Sequence, residues 1–135
     1  MILSNFIVFE GLDGSGTSTQ IQLLTKKIQP NRLFVTTEPT NLPTGKFIRK
    51  ILKGEFSIDE KTIAYLFAAD RCEHIYGKNG IIENLQNGKL VVSDRYFFSS
   101  IAYQSIMAGD DLPKKLNENF PLPEFLFFFK ISSDK

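Results

Sequence analysis

The sequence predicts an α/β protein with a parallel β-sheet and helices on both faces, and two observations carry this prediction. Short apolar segments rich in β-forming residues alternate along the chain with segments whose apolar residues recur at helical spacing. The short segments do not alternate apolar with polar residues, which is typical of parallel strands buried on both faces. We therefore expect right-handed crossovers, with ligands bound beyond the carboxyl ends of the strands.

The predicted strands are the short apolar segments. The first runs directly into glycines at positions 11, 14 and 16, which indicates a strand followed by a turn. The last follows a loop bounded by prolines. The predicted strands are Asn5–Glu10, Leu33–Thr36, Leu90–Ser93 and Phe125–Ile131.

The predicted helices are placed by apolar spacing and by start and stop residues. Asp59 is positioned to cap a long helix that ends before Gly77, and Pro30 stops the helix that follows the first strand. The predicted helices are Ser18–Ile28, Lys46–Lys53, Asp59–Tyr76, Ile81–Gln86 and Ser99–Ala108.

Composition limits the class of protein. With 135 residues, of which 42% are hydrophobic, we expect a single domain spanning residues 1–135. A formal net charge of +1 supplies no broad field for gripping nucleic acid or an anionic membrane, so neither is expected as a partner. One cysteine, no signal-like N-terminus and no long apolar run predict a soluble cytoplasmic protein.

The first glycine-rich turn has the pattern of a phosphate-binding loop. The segment Gly11-Leu-Asp-Gly-Ser-Gly-Thr-Ser18 matches G-x-x-x-x-G-K-[ST] at every fixed position except the lysine. Backbone N–H groups of such a loop hold nucleotide phosphates, and the Ser18 hydroxyl would ligate Mg²⁺. A glycine-rich turn that binds no ligand is the alternative. The predicted phosphate-loop residues are Gly11, Asp13, Gly14, Ser15, Gly16, Thr17, Ser18 and Thr19.

Thr17 stands where the pattern has lysine. That lysine would neutralise charge on the β- and γ-phosphates as the phosphoryl group moves, and a hydroxyl cannot supply this charge. Three outcomes are open. Another cation substitutes, with Arg95 the nearest candidate, or activity is low, or catalysis has been lost.

Further polar residues follow the next strands. Glu38 and Pro39 come after the second strand, and Asp94 and Arg95 come directly after the third. A carboxylate at such a position can act near Mg²⁺, and an arginine can clamp phosphates; a surface ion pair with helix capping is the alternative. Phe67 and Arg71 lie four residues apart on one helix face, where a ring could stack on a base, although spacing alone favours core packing.

These segments together resemble the thymidylate kinases. The resemblance is carried by FIVFEGLDGSG at 6–16, Glu38-Pro39, LFAADR at 66–71 and SDRYFFSSIAYQ at 93–104, in the family's order and spacing. It implies the P-loop NTPase fold and an ATP- and Mg²⁺-dependent phosphotransferase that converts dTMP to dTDP in dTTP synthesis. It also implies a homodimer that packs helices together.

The resemblance further implies roles for single residues. Asp94, Arg95 and Asp13 would be catalytic, with Ser18 and Asp94 at the metal, and Asp13 near the sugar 3′-hydroxyl of dTMP. Phe67 would stack on thymine, and Arg71 would contact base and phosphate. The implied dTMP-binding set is Asp13, Glu38, Pro39, Phe67, Arg71, Arg95, Ser100, Tyr103 and Gln104.

The sequence also departs from the family. Besides Thr17, Thr37 stands where many bacterial members have arginine, and Thr40-Asn41-Leu42 replaces Gly-Gly-Thr. Relatives are longer, so we expect 1–135 to be the N-terminal portion of the domain, without the arginine-bearing lid and the last strand. Two alternatives stay open: a related deoxynucleoside or other nucleotide kinase, and a degenerate nucleotide-binding module without turnover.

Overall fold

The computed structural model describes residues 1–11, 16–98, 101 and 111–129. Strands and helices alternate through most of this part of the chain. The strands are β1 (Ile2–Gly11), β2 (Leu33–Thr37), β3 (Leu90–Asp94) and β4 (Leu122–Phe129). The helices are α1 (Thr17–Thr25), α2 (Pro43–Leu52), α3 (Glu60–Tyr76), α4 (Ile81–Gln86) and α5 (Leu112–Asn117), with a 3₁₀ turn at Pro30–Arg32.

The strands form one parallel sheet in the order β2-β3-β1-β4. The register places Thr37 of β2 beside Asp94 of β3, and Asp94 beside Phe9 of β1. Since parallel strands end at one edge, this register brings the ends of β1, β2 and β3 together, with the polar residues that follow β2 and β3. The predicted parallel sheet is confirmed.

Helices cover both faces of the sheet, as predicted. On one face, Phe6, Val8 and Val91 pack with Ile75 of α3 and Ile81 of α4. On the other face, the apolar cluster comprises Phe9 and Val92 of the sheet and Ile21 of α1. Successive residues of a strand point to opposite faces, so the uninterrupted apolar character of β1 and β3 supplies both cores.

Local signals placed α3 and α4 correctly. The Asp59 side chain accepts a hydrogen bond of 2.9 Å from the Lys61 N–H, and α3 ends at Tyr76, before Gly77. Such a cap satisfies one of the N–H groups that a helix start leaves without an intrahelical partner. Helix α4 has the predicted bounds.

Other bounds differ from prediction. Strand β4 begins at Leu122 rather than Phe125, because its first residues pair with Ile2 and Leu3, and this pairing also extends β1 before Asn5. The ladder shifts register between Leu3 and Ile7, and Asn5 there has a φ of 67°. Ser4 and Asn5 lie at this irregularity, and their residue types do not predict a strand.

Three helices also differ. Helix α1 ends at Thr25 rather than Ile28, and the Thr25 hydroxyl donates back to the Gln22 carbonyl over 2.7 Å. Helix α2 begins at Pro43, since proline suits the first helical turn. Helix α5 was not predicted. The predicted helix Ser99–Ala108 lies outside the described residues except for position 101.

Strand β4 lies at one edge of the sheet, and its side chains from Phe125 to Phe128 are between 42% and 60% exposed. Within the described ranges, no helix combines the length and the apolar character that crossing a membrane requires.

Candidate active site

Backbone contacts tie together the carboxyl ends of three strands. The Asp94 carbonyl at the end of β3 accepts from the Glu38 N–H over 3.1 Å and from the Thr37 hydroxyl over 3.1 Å. The Arg95 N–H donates to the Phe9 carbonyl of β1 over 2.8 Å. The polar motifs that the sequence placed after β2 and β3 therefore converge, next to the end of β1.

The described end of the phosphate loop leads into α1. Gly16 has a φ of 94°, which glycine adopts without steric cost, and its carbonyl accepts the Gln20 N–H over 3.0 Å. Thr17 is buried at 9% exposure. Among the described residues, no side chain caps this helix start and its first turn holds no acidic residue. Its N–H groups and the positive end of the helix dipole can therefore face an anion.

Ser18 and Asp94, which we call the Asp94 pair, place oxygens side by side between α1 and β3. The Ser18 hydroxyl donates to Asp94 Oδ2 over 3.5 Å, which is long for such a bond. Asp94 Oδ1 is buried and has no hydrogen-bond partner among the described residues. A buried acceptor without a partner is costly, and a cation would satisfy it.

Mg²⁺ fits this pair of oxygens. It is commonly held by one or two protein oxygens and completes its octahedron with water and phosphate oxygens. The part of the chain that the structure describes contains no group of three or more His, Cys, Asp or Glu side chains arranged for a metal. The Asp94 pair therefore suits a metal that is shared with phosphates.

Arg95 has a left-handed backbone next to this pair. Its φ is 76°, a conformation that costs about 1–3 kcal/mol for a residue other than glycine. Two hydrogen bonds hold it there: its N–H to Phe9, described above, and its carbonyl, which accepts from the Ser93 hydroxyl over 2.6 Å. Strain held by its surroundings in this way is often found at functional sites.

A second group of polar side chains is buried between β2, α3 and α5; we call it the Glu38 cluster. Glu38 Oε1 accepts from Arg71 Nε over 2.7 Å, and the pair is almost fully buried. Another Arg71 nitrogen donates to the Asn117 side-chain oxygen, and a third donates to the Tyr96 carbonyl over 3.3 Å. The cluster comprises Thr36, Glu38, Arg71, His74 and Asn117.

His74 binds the other oxygen of Glu38. Its Nδ1 lies 2.7 Å from Glu38 Oε2, and its Nε2 lies 2.6 Å from the Thr36 hydroxyl. Both Glu38 oxygens thus have protein partners, and the Arg71 guanidinium lies over the rings of Tyr96 and Phe97 at 5.6 and 5.8 Å. Sequence reasoning missed His74 and Asn117.

Tyr96 closes the cluster on one side. Burial, with the nearby Glu38 charge adding to it, raises the pKa of Tyr96 well above its ordinary value. The phenol therefore stays neutral and donates to the Pro121 carbonyl over 2.8 Å. Beneath it, Glu10 is fully buried and accepts from the Tyr96 and Phe98 N–H groups over 3.3 and 3.0 Å. Sequence reasoning missed Glu10 too, although a carboxylate at the end of an apolar strand was a usable signal.

The loop after β2 is shaped by Asp70. This buried carboxylate accepts from the Thr40 N–H over 2.9 Å and from the Thr40 and Thr44 hydroxyls over 2.6 Å each. A side chain at Gly45 would collide with the Thr40 backbone, so α2 packs against this loop only with glycine there. The Pro39 carbonyl accepts from Arg49, and the Glu38–Pro39 peptide bond is cis.

The remaining predicted residues divide into two groups. Phe67 is half-buried on α3, on the helix that also carries Arg71 and His74. Gly11 and Thr19 flank the phosphate loop, Gly11 buried and Thr19 exposed. The other predicted site residues lie outside the described part of the chain: Asp13, Gly14, Ser15, Ser100, Tyr103 and Gln104.

Comparison with known proteins identifies the family. The family model of thymidylate kinase matches residues 9–135. The chain belongs to the thymidylate kinase family. The thymidylate kinase of Leptospira interrogans is 44% identical over 137 residues, and the match covers 94% of this chain and 64% of that protein. The resemblance seen in the sequence is thus confirmed for the family.

Solved structures agree. The thymidylate kinase of Ehrlichia chaffeensis superposes with a TM-score of 0.79 at 32% identity, covering 94% of this chain and 72% of that one. The Candida albicans thymidylate kinase gives 0.80 at 26% identity, covering 96% and 64%. The fold is the P-loop NTPase fold of this family, as predicted. The chain spans less than two thirds of the Leptospira relative's length.

Proposed function

We propose that this chain is part of a thymidylate kinase, which transfers a phosphoryl group from ATP to dTMP and yields dTDP with the help of Mg²⁺. The observation that carries the proposal is the Asp94 pair: Ser18, at the start of α1, lies 3.5 Å from Asp94 at the end of β3, in a chain of this family. A buried carboxylate oxygen that has no partner among the described residues, beside a hydroxyl and a helix start, fits a metal that is shared with nucleotide phosphates.

The proposed roles divide the residues at this edge of the sheet into an ATP and Mg²⁺ side and a dTMP side. The phosphate loop and the start of α1 hold the ATP phosphates, and Ser18 and Asp94 hold Mg²⁺, which supplies charge to the phosphate oxygens. Arg95, whose backbone is fixed on both sides, clamps phosphate oxygens. Asp13 supports the dTMP sugar. The proposed acceptor side is Glu38, Pro39, Phe67, Arg71, Ser100, Tyr103 and Gln104.

Thr17 leaves the phosphate loop without its usual positive charge. Arg95 follows Asp94 directly in the sequence. Its left-handed backbone sets the direction in which its side chain leaves the end of β3. We propose that Arg95 supplies part of the missing charge. Turnover is then slower than in a relative with the lysine, while phosphate binding through N–H groups is largely kept.

The test is a coupled ADP-release assay on the protein at its natural length, with Mg²⁺ and with dTMP, thymidine and other nucleoside monophosphates as acceptors. We expect turnover with dTMP and little with thymidine. Turnover with thymidine in place of dTMP would favour a deoxynucleoside kinase. Calorimetric binding of dTMP without any turnover would favour a degenerate binding module.

We also propose a single domain over residues 1–135 and a homodimer formed through α3. Four exposed residues, Tyr65, Ala69, Cys72 and Tyr76, recur at helical spacing and make a stripe of mostly apolar side chains along this helix. Small residues between two tyrosines allow helices to approach closely. In analytical ultracentrifugation we expect a dimer, which Ala69→Glu converts to monomer; a monomeric wild-type protein would contradict this.

A further inference from the structure

Most side chains of the Glu38 cluster are buried, although they include a carboxylate and a guanidinium. Glu38, Arg71, His74 and Asn117 are each exposed by 4% or less. Buried charges persist when they are paired and when their remaining hydrogen-bonding groups are satisfied. Each partner in such a cluster therefore restricts the position of the others.

His74 is held at both ring nitrogens. Since an ionised carboxylate only accepts, Nδ1 must donate to Glu38 Oε2. The Thr36 hydroxyl 2.6 Å from Nε2 can donate to a neutral ring or accept from a charged one. The ring therefore keeps its orientation in either charge state, with its Nδ1–H always directed at Glu38.

The contact between His74 and Glu38 has a mechanical consequence. Arg71 Nε binds Glu38 Oε1, so without a partner at Oε2 the Glu38 carboxylate could rotate about its last bond. His74 occupies Oε2 and removes this freedom. The position of Arg71 Nε then follows from that of His74, although the two side chains make no direct hydrogen bond in the described contacts.

We infer that His74 is a positioning residue for the acceptor nucleotide. Acting through Glu38, it fixes the Arg71 guanidinium and the turn at Glu38-Pro39, and so it sets the affinity for dTMP without touching it. The inference rests on the proposed function, in which Arg71 and Glu38 belong to the dTMP side.

Two near-isosteric variants separate the two hydrogen bonds of His74. In His74→Asn the amide nitrogen takes the place of Nδ1 and can still donate to Glu38. In His74→Gln it takes the place of Nε2, reaching Thr36 and leaving Glu38 Oε2 without its donor. We expect His74→Gln to raise KM for dTMP about tenfold, with kcat and KM for ATP nearly unchanged, because a hydrogen bond to a charged group is lost. His74→Asn, which keeps a donor to Glu38, should stay within about twofold of wild type, a difference of about 0.4 kcal/mol.

A second measurement needs no substitution. His74 is the only histidine among the 135 residues, so in an NMR spectrum of the ¹⁵N-histidine-labelled 135-residue chain its ring signals need no assignment. Saturating dTMP should shift the Nδ1 signal, whereas ATP alone should leave it in place. This measurement decides the matter if His74→Gln fails to fold.

The outcomes separate this inference from the proposed function. Suppose that the wild-type protein phosphorylates dTMP while both variants have the wild-type KM, or while dTMP leaves the ring signals unshifted. In either case the positioning role alone is wrong. If both variants raise KM equally, the ring and not its Nδ1 donor matters, and the inference is again wrong. If wild-type protein neither binds nor phosphorylates dTMP, both proposals fail.

Discussion

The Glu38 cluster and the Asp94 pair lie at the same edge of the sheet, yet their polar groups are satisfied to different degrees. Both oxygens of Glu38 have protein partners at 2.7 Å, whereas the Ser18–Asp94 contact is 3.5 Å long and Asp94 Oδ1 has no partner among the described residues. Protein bonds alone hold the first in place. We propose that a bound cation completes the second.

This difference has an energetic meaning. Groups that are fully bonded before a ligand arrives contribute to folding and are pre-organised for recognition. An unsatisfied buried acceptor lowers stability, and binding a cation relieves that cost. We therefore expect substitutions in the Glu38 cluster to reduce stability first, and substitutions in the Asp94 pair to reduce turnover first.

The largest expected effect is on folding. Glu38→Ala removes the carboxylate that faces Arg71, whose side chain is 1% exposed, and leaves the guanidinium buried without its countercharge. Breaking a buried pair in this way costs about 3–5 kcal/mol. Urea unfolding measures the loss, and Glu38→Gln, which keeps the shape and one acceptor, should lose less. A loss near that of a surface ion pair, below about 1 kcal/mol, would contradict the comparison.

The next effect is on turnover. Asp94→Asn keeps the shape of the side chain and removes the charge that we propose binds Mg²⁺. Losing one such transition-state contact typically costs about 10² to 10³ in kcat. Thermal unfolding without Mg²⁺ should be unchanged or should occur at a higher temperature, because the variant removes a charge whose buried Oδ1 has no partner among the described residues. A clear drop in Tm with normal kcat would mean that Asp94 is structural like Glu38.

The extent to which these two regions could be predicted from sequence differs as well. Ser18, Asp94 and Arg95 lie in short motifs directly after strands, so local pattern was enough to place them at one edge. The partners in the Glu38 cluster are distant in sequence: Glu38 and His74 are 36 residues apart, and Arg71 and Asn117 are 46 apart. The packing of α3 against the end of β2 and against α5 brings them together, and no local sequence pattern predicts that packing.

The same distinction applies to the fold. The start of α3 was predictable because the cap is local: the Asp59 side chain accepts from the Lys61 N–H, two residues along the chain. The start of β4 was not, because it depends on pairing with Ile2 and Leu3 at the other end of the chain. Helix α5 is short, and its role becomes visible only through Asn117, which binds Arg71.

Thr17→Lys tests whether the missing lysine of the phosphate loop limits turnover. We expect turnover to rise by about tenfold, less than the full effect of such a contact because Arg95 already supplies part of the charge. The affinity for dTMP should change little. Thr17→Met, of similar length and no charge, is the control. An unchanged rate in the lysine variant would mean that another group fully replaces the charge.

The smallest expected effect comes from the far end of α3. Asp59→Ala removes the hydrogen bond to the Lys61 N–H and should lower the free energy of unfolding by about 1 kcal/mol. Asp59→Ser, which can still cap, should restore most of it. Arg71 and His74 lie in the last two turns of the same helix, and they are held by Thr36 of β2, by Glu38 after it and by Asn117 of α5. KM for dTMP should therefore not follow this loss. If KM rose together with the loss of stability, the position of Arg71 would depend on the helix as a whole and not on the Glu38 cluster.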